Sequence, residues 1–475
     1  MLEAEISHLR NCFEIARSAS RSDPVPPLKT RRALLRGLAA FLKDNESDVL
    51  AAICKDYGYR STKETQLIEI YPALAEIEHA LKGVGSWMRP TRRDSDWRVY
   101  PLARNEVLPQ PLGVIGIVVP WNYPLFLSFG PLVAALAAGN RALVKMSTNS
   151  RNFADLLAAR LPGYVPEEQV RFLPDPGGLG RHFTALPFDH LIFTGSGATG
   201  SAVMAAAAGN LCGVTLELGG KSPALVLPDF DLRTATERIM FGKLINSGQT
   251  CVGVDYALVP EGGEEVFEER ARELVMARYG TLGSPDWTSI IDAPSFQRLT
   301  ASLDEAARAG AKVVNLLPGP AWNEAERRLA PHLVVNPPDH CALSQRETFG
   351  PILVLRTYPS VESAVTYIKE RPRPLAFYPF TNDRRRLAWL LKHVISGGVT
   401  VNHTIFHVAQ ADLPFGGVGA SGIGCYHGHD GFLTCSKLRP IFFQSRWLDV
   451  GPVLSPPYGR LFKWVYAYLR LITRT

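Results

Sequence analysis

Cys251 closes the run Gly242-Lys243-Leu244-Ile245-Asn246-Ser247-Gly248-Gln249-Thr250-Cys251. Thirty-four residues before it stands Glu217, inside Leu216-Glu217-Leu218-Gly219-Gly220-Lys221. A thiol adds to a carbonyl carbon as the thiolate, so it needs a neighbouring base or aligned backbone dipoles to lose its proton. The small residues framing both positions let a substrate come close. If the two side chains face one pocket, the chemistry is covalent catalysis on a carbonyl compound.

Three further segments carry candidate chemistry, each with a plainer alternative. In Pro120-Trp121-Asn122-Tyr123-Pro124 an amide side chain is held between two prolines. Asn122 either donates to an oxyanion formed at the carbonyl or caps the helix that follows. Phe193-Thr194-Gly195-Ser196-Gly197-Ala198-Thr199-Gly200 follows an apolar strand and opens an alanine-rich helix. That context suits a pyrophosphate at a helix N-terminus, or else a tight strand-to-helix turn with no ligand. The usual spacing of such a motif puts an acid about twenty residues on, at Glu217, against a ribose. Leu-Glu-Leu-Gly-Gly does not read as the end of a short second strand, which weakens that assignment. Glu347-Thr348-Phe349-Gly350-Pro351, read as a strand, puts a carboxylate and a ring on one face, suited to a ribose and a flat ring. A solvated Glu at a strand start is the simpler reading.

The elements that must hold these residues alternate between strand and helix. Helical periodicity runs over Arg31–Lys43, Glu46–Asp56 and Thr65–Leu81, and Arg92–Val107 has the texture of an exposed hairpin. Strands are expected at Val114–Val119, Ala142–Lys145 and Leu191–Phe193, with a buried helix over Leu132–Ala138. A second series begins at Ala224–Leu227 and continues through Tyr256–Val259, Leu333–Val335 and Ile352–Leu355. Such alternation implies parallel sheets covered by helices on both faces, with a boundary near Leu216–Ser222. No charge occurs between Val107 and Asn140, yet Pro109, Pro111, Pro120, Pro124 and Pro131 would break a spanning helix.

Composition narrows the function. A net charge of +6 over 475 residues, without clustering, argues against a nucleic-acid partner. Arg384-Arg385-Arg386 after Asn382-Asp383 reads as a solvated helix start. Cys12, Cys54, Cys212, Cys251, Cys341, Cys425 and Cys435 are odd in number and form no CxxC pair, which suits a reducing compartment. With an acidic, helical N-terminus and no signal peptide, the expected location is the cytoplasm. Cys425, His427 and His429 are too few for a metal site without a distant partner, so no metal is expected. His403 and His407 read as pocket or interface residues, and Leu413–Gly422 as an irregular glycine-rich loop bordering a pocket. The tail from 455 to 475 is an amphipathic basic helix. It either folds over its own protein or a partner subunit, or lies on an anionic membrane surface.

Taken together, Pro120–Pro124, Phe193–Ser196, Leu216–Pro223, Gly248–Cys251 and Glu347–Pro351 resemble the aldehyde dehydrogenase superfamily over almost the whole chain. The short N-terminal region and the block from Gly398 through Phe415–Gly419 to Gly428 resemble its class 3 branch, and within it the coniferyl aldehyde dehydrogenases. The resemblance implies two doubly wound α/β domains and a small β arm. Residues 1–91 and 108–215 would bind NAD(P), 216–420 would form the catalytic domain, and 92–107 with 436–446 the bridging arm. The arm's late strand is expected near Pro440–Gln444 and suggests a homodimer through strand pairing. Cys251 would attack the aldehyde, with Asn122 and the Cys251 N–H stabilising the oxyanion of the thiohemiacetal. Hydride then passes to the nicotinamide, leaving a thioester that Glu217-activated water releases as the acid. Glu347 and Phe349 would position the nicotinamide ribose and ring, Lys145 the adenine ribose and Ser196 a phosphate, with Trp121, Gly195, Gly200, Leu218 and Gly219 completing the cofactor site.

Two departures stand out. Lys145-Met146-Ser147-Thr148 replaces the usual Lys-Pro-Ser-Glu, removing an acceptor for the ribose hydroxyls and a repulsion against a 2′-phosphate. NAD is the expected cofactor, with its preference weakened and NADP admitted. Gly197 stands where a Thr is common, which loosens the phosphate turn. A cysteine acyltransferase or esterase, and a non-catalytic membrane-associated binding protein, are the rival readings. Neither an obvious Cys-His arrangement nor a degenerate site supports them.

Overall fold

The structure, a computed structural model, describes residues 2–473. The last two positions of the expected tail helix lie outside the described residues.

A first sheet has Val114–Val118 at its centre. Arg141–Lys145 and Val170–Leu173 follow on one side, His190–Gly195 and Gly213–Leu218 on the other, all parallel. Gly422–Ile423 adds a short antiparallel strand against Leu216 and Glu217, within the loop expected to be irregular. The direction of winding reverses between Val114–Val118 and His190–Gly195. In open α/β sheets ligands collect beyond the carboxyl ends of the strands at such a reversal. The segments emerging there are Pro120–Asn122 and Gly195–Ser196, both singled out by sequence.

The second sheet runs, in space, Lys312–Asn315, His332–Val335, Ile352–Tyr358, Tyr256–Pro260, Pro223–Val226, Ala376–Phe380 and Gly398–Val399. Only its Lys312–Asn315 edge is antiparallel. The chain passes from one sheet to the other at Gly219–Ser222. Strands covered on both faces cannot show a hydrophobic alternation. Val114–Val118, Pro223–Val226 and Ala376–Phe380 are buried along their whole length. The same logic explains the uncharged stretch before Asn140. Phe126–Ala138 is a helix buried on every face, Pro131 included.

Helices at Leu28–Asp44 and Glu46–Tyr57 match their periodicity. The helix expected over Thr65–Leu81 does not run straight. It begins at Thr62–Thr65, widens into a π turn at Gln66–Ile70 and resumes at Tyr71–Trp87. The widening turns Glu69 inward, where it is fully buried against Arg60, and π turns recur where a helix serves a site in this way.

The third sheet is antiparallel, with Thr91–Arg93 and Ser436–Phe443 flanking Arg104–Pro111. Its late strand starts at Ser436, earlier than the expected Pro440. The tail helix, Arg460–Ile472, has no fully buried side chain; Phe462, Val465, Leu469 and Ile472 are half-buried and the rest exposed. Among the described residues no helix is long and apolar enough to cross a membrane.

Candidate functional site

A cavity of about 240 Å³ lies where the two sheets meet, at the reversal point of the first. Trp121 and Asn122, Gly195 and Ser196, Glu217 to Gly219, Cys251, and Glu347 with Phe349 all line it, joined by Leu375 and Phe415. Sequence segments more than two hundred residues apart therefore converge on one volume.

Cys251 follows a turn over Ile245–Gly248 in which Asn246 and Ser247 take left-handed backbone angles, φ 53° and 50°. Such angles are costly for side-chain-bearing residues and persist only when the surroundings fix them. Here they do. The Asn246 side-chain amide donates to the Asn122 carbonyl (3.0 Å), the Gln249 carbonyl (3.2 Å) and the Tyr57 hydroxyl (3.2 Å). Its backbone N–H donates to Glu64 at 3.0 Å. Gln249 donates to the Asn246 and Ser289 carbonyls and accepts from the Ile291 N–H. Gly248 (φ 74°) must be glycine, since a Cβ there would strike the Gly350 carbonyl.

The same network resolves the role of Asn122 in the backbone. Its carbonyl accepts from Tyr57 Oη (2.7 Å), Arg60 Nη1 (3.3 Å) and Asn246 Nδ2 (3.0 Å). Its own Nδ2 donates one bond to the Gln249 carbonyl at 3.3 Å. Capping of the helix that follows falls to Glu69 instead, whose Oε2 accepts from the Leu125 and Phe126 N–H groups at 2.8 and 3.2 Å. Asn122 therefore does not cap, and a second amide hydrogen is left for a ligand.

Glu217 is buried at the end of Gly213–Leu218, and neither carboxyl oxygen has a partner among the described residues. Burial pushes its pKa well above the usual carboxylate range. Glu347 is raised to about 8 by burial and by the Asp255 charge, against the pull of the Gly220 N–H, Lys221 and Lys243. Burial, then Glu347 and Glu217, push the Cys251 thiol up to about 12. At neutral pH the free thiol keeps its proton.

Glu347 and Phe349 are not on a strand. They lie on an irregular loop, and Phe349 takes φ 49°. The expected strand pleat is replaced by two close backbone approaches: Gly350 to Gly248, and Gly219 to the Glu347 carboxyl, where a Cβ would leave no room. Phe349 meets Trp121 edge to face at 5.4 Å. Sequence reasoning missed what holds this loop. Lys221 Nζ donates to Asp255 Oδ2 (2.9 Å) and to the Leu343 and Arg346 carbonyls (2.9 and 3.0 Å). Asp255 in turn accepts from the Thr348 N–H at 3.1 Å. Lys221 stood inside a recognised motif; Asp255, like Arg60 and Glu69, carried no local signal.

Ser196 accepts from the Thr199 N–H (3.3 Å) at the start of the helix Gly197–Ala208, and Gly197 faces open space. Gly200 lies outside the cavity and packs the helix onto Leu218. Lys145 is also outside it, paired with Asp175 at 2.7 Å. His427 packs between Phe415 and Phe126 at ring distances of 5.4 and 5.5 Å. His403 stacks on Phe406, and His407 Nδ1 bonds Thr400 Oγ1 at 2.8 Å.

The arrangement fits a nicotinamide cofactor. Two buried carboxyls and an aromatic pair suit a cationic ring, and the open helix N-terminus at Gly197 suits phosphate. The aldehyde dehydrogenase family model matches residues 3–441. A probable coniferyl aldehyde dehydrogenase of Pseudomonas aeruginosa is 44% identical over 460 residues, 96% of this chain and 95% of that one. Aldehyde dehydrogenase family 3 member A2 of Rattus norvegicus is 37% identical, over 96% and 91% of the two chains. The substrate-bound Staphylococcus aureus AldH structure superposes with a TM-score of 0.91 at 34% identity, covering 97% of this chain and 99% of that one. The chain belongs to the aldehyde dehydrogenase family and oxidises an aldehyde with NAD(P).

Proposed function

We propose that Cys251 is the nucleophile, Asn122 and the Cys251 N–H the oxyanion donors, and Glu217 the base that readies water for the thioester. The observation carrying this reading is that Cys251 and Glu217 share one cavity in which, among the described residues, Glu217 has no partner to compete for its oxygens. The nicotinamide, when bound, accepts the hydride expelled from the sp3 carbon of the thiohemiacetal. Glu347, Phe349, Trp121, Leu218 and Gly219 then hold the ribose and ring, Gly195, Ser196 and Gly200 the phosphate turn, and Lys145 the adenine ribose. The domain division is 1–91 with 108–215 for the cofactor, 216–420 for catalysis, and 92–107 with 436–446 for the arm.

The substrate we propose is an aromatic, phenylpropenal-type aldehyde such as coniferyl aldehyde, with medium and long alkyl aldehydes as the second class. The aromatic lining by Trp121 and Phe415 supports a flat substrate. A panel of aromatic, allylic and alkyl aldehydes, run with both cofactors beside Cys251→Ala, tests this. A rate indifferent to Cys251→Ala sinks the mechanism; alkyl aldehydes turned over best replace the substrate.

The open edges of the third sheet support a homodimer built by strand pairing. We further propose a cytoplasmic enzyme whose tail rests on an anionic membrane surface. A thirteen-residue helix is marginal alone in water. This one exposes Leu461, Trp464 and Leu471 while aligning Arg460, Lys463 and Arg470, with no acid among its residues. Vesicles of anionic lipid should retain the full chain and not one ending at Leu454.

A further inference from the structure

Thr148 leaves the adenosine end of the cofactor site without the carboxylate that would discriminate between the two nicotinamide cofactors. The fold supplies another from the neighbouring strand. Val170–Leu173 runs parallel to Arg141–Lys145, with Leu173 beside Lys145. The chain therefore leaves the sheet next to the lysine, as Pro174-Asp175-Pro176-Gly177-Gly178. Gly177 and Gly178 take φ 118° and 93°, which folds the segment back into the helix Leu179–Thr184. Asp175 is thereby turned onto Lys145, with Oδ2 and Nζ 2.7 Å apart and the two side chains only 5% and 10% exposed. Lys145 Nζ also donates to the Met146 carbonyl at 3.1 Å. Asp175 Oδ1 accepts from the Gly177 and Leu179 N–H groups at 2.8 and 3.3 Å. Burial alone would raise this carboxyl's pKa, yet Lys145 and the two amides hold it below the usual range, so it is charged.

We infer that Asp175 is the specificity-determining carboxylate of the cofactor site, pairing with Lys145 and excluding a 2′-phosphate so that NAD is preferred over NADP. The inference rests on the proposed contact of Lys145 with the adenine ribose. A free lysine there would be a ready phosphate partner. A lysine already neutralised is not, and a 2′-phosphate carrying about −1.5 to −2 charges and touching Nζ would sit roughly 5 Å from the Asp175 carboxylate. Ribose hydroxyls are uncharged and escape that repulsion. The carboxylate the sequence lacks at 148 is thus replaced from across the strand pair.

The test titrates the cofactor-free enzyme calorimetrically with ADP and with adenosine 2′,5′-bisphosphate, and measures kcat/KM for NAD and NADP. In Asp175→Asn the affinity for the bisphosphate relative to ADP should rise about tenfold or more, and the NAD:NADP ratio of kcat/KM should fall alike. Adding Thr148→Glu to that variant should restore discrimination. Should Asp175→Asn not fold, the wild type still decides. It should favour NAD by about tenfold or more, and Thr148→Glu should add less than about threefold. A folded Asp175→Asn with unchanged ratios, or a wild type indifferent between the cofactors, overturns the inference. Lys145→Met separates the two levels: unchanged ADP affinity there removes the reading of Lys145 itself, whereas weakened ADP binding with unaltered discrimination in Asp175→Asn removes only the role of Asp175.

Discussion

The two sides of the cavity are built on opposite principles. On the side of Cys251 and Asn122 a dense set of buried hydrogen bonds fixes the backbone. One carbonyl, that of Asn122, accepts from three side chains, and the turn before Cys251 keeps two strained residues in place through buried hydrogen bonds. On the other side Glu217 has no partner at either oxygen among the described residues, and Glu347 is charged or neutral according to pH near 8. Rigidity is concentrated where an oxyanion must be held at a fixed distance. Freedom is left where protons must come and go. Preorganised donors cost no reorganisation during reaction, whereas a base needs a pKa near the working pH and an unoccupied lone pair.

Breaking the rigid side should cost most. Cys251→Ala should lower kcat on the order of 10⁴-fold or more, since the covalent route disappears. Electrospray mass spectrometry of the wild type with aldehyde and oxidised cofactor should show an acyl adduct on that residue and none in the variant. Asn122→Ala should lower kcat by about 10²- to 10³-fold, the usual cost of one oxyanion donor, with the thermal midpoint little changed. A raised KM with kcat unchanged would instead make Asn122 a binding residue. Glu69→Gln attacks the scaffold: it leaves Arg60 buried with a weakened partner, so stability should drop by about 3 kcal/mol or more. Chemical denaturation measures that drop, and a variant as stable as wild type would show that the pair does not hold the Asn122 segment.

How much of this was legible in the chain divides along the same line. The groups that react sit in local motifs, so Cys251, Glu217, Asn122, Glu347 and Phe349 could be picked out by type and spacing, and all converge on one cavity. The groups that hold them could not. Arg60 reaches the Asn122 carbonyl from the loop after Glu46–Tyr57, Glu69 of the π turn pairs with Arg60 from behind, and Asp255 reaches the Glu347 loop from just before the strand Tyr256–Pro260; each is an ordinary charged residue until the fold buries it. The strand reading of Glu347 and Phe349 failed for a related reason. Period-two spacing assumes an extended backbone, and Phe349 at φ 49° is placed by backbone contacts at Gly248 and Gly350 that no local pattern reports. The parallel strands were visible because burial on both faces leaves unbroken apolar runs.

The freer side makes smaller, graded predictions. The thiol lies near 12 because burial and two carboxyls disfavour its anion. Well below that pKa the thiolate fraction rises tenfold per pH unit, so iodoacetamide labelling of Cys251 in cofactor-free enzyme should climb roughly tenfold from pH 6 to 7, and less steeply from pH 7 to 9, where Glu347 ionises. Glu347 ionises near pH 8 and then repels the thiolate. Glu347→Gln removes that repulsion, so labelling at pH 9 should quicken several-fold while labelling at pH 6.5, where Glu347 is already neutral, should not change. A plateau by pH 7 would mean that the thiolate forms readily in the free enzyme, and the contrast between a fixed oxyanion side and a proton-holding carboxyl side would lose its electrostatic half.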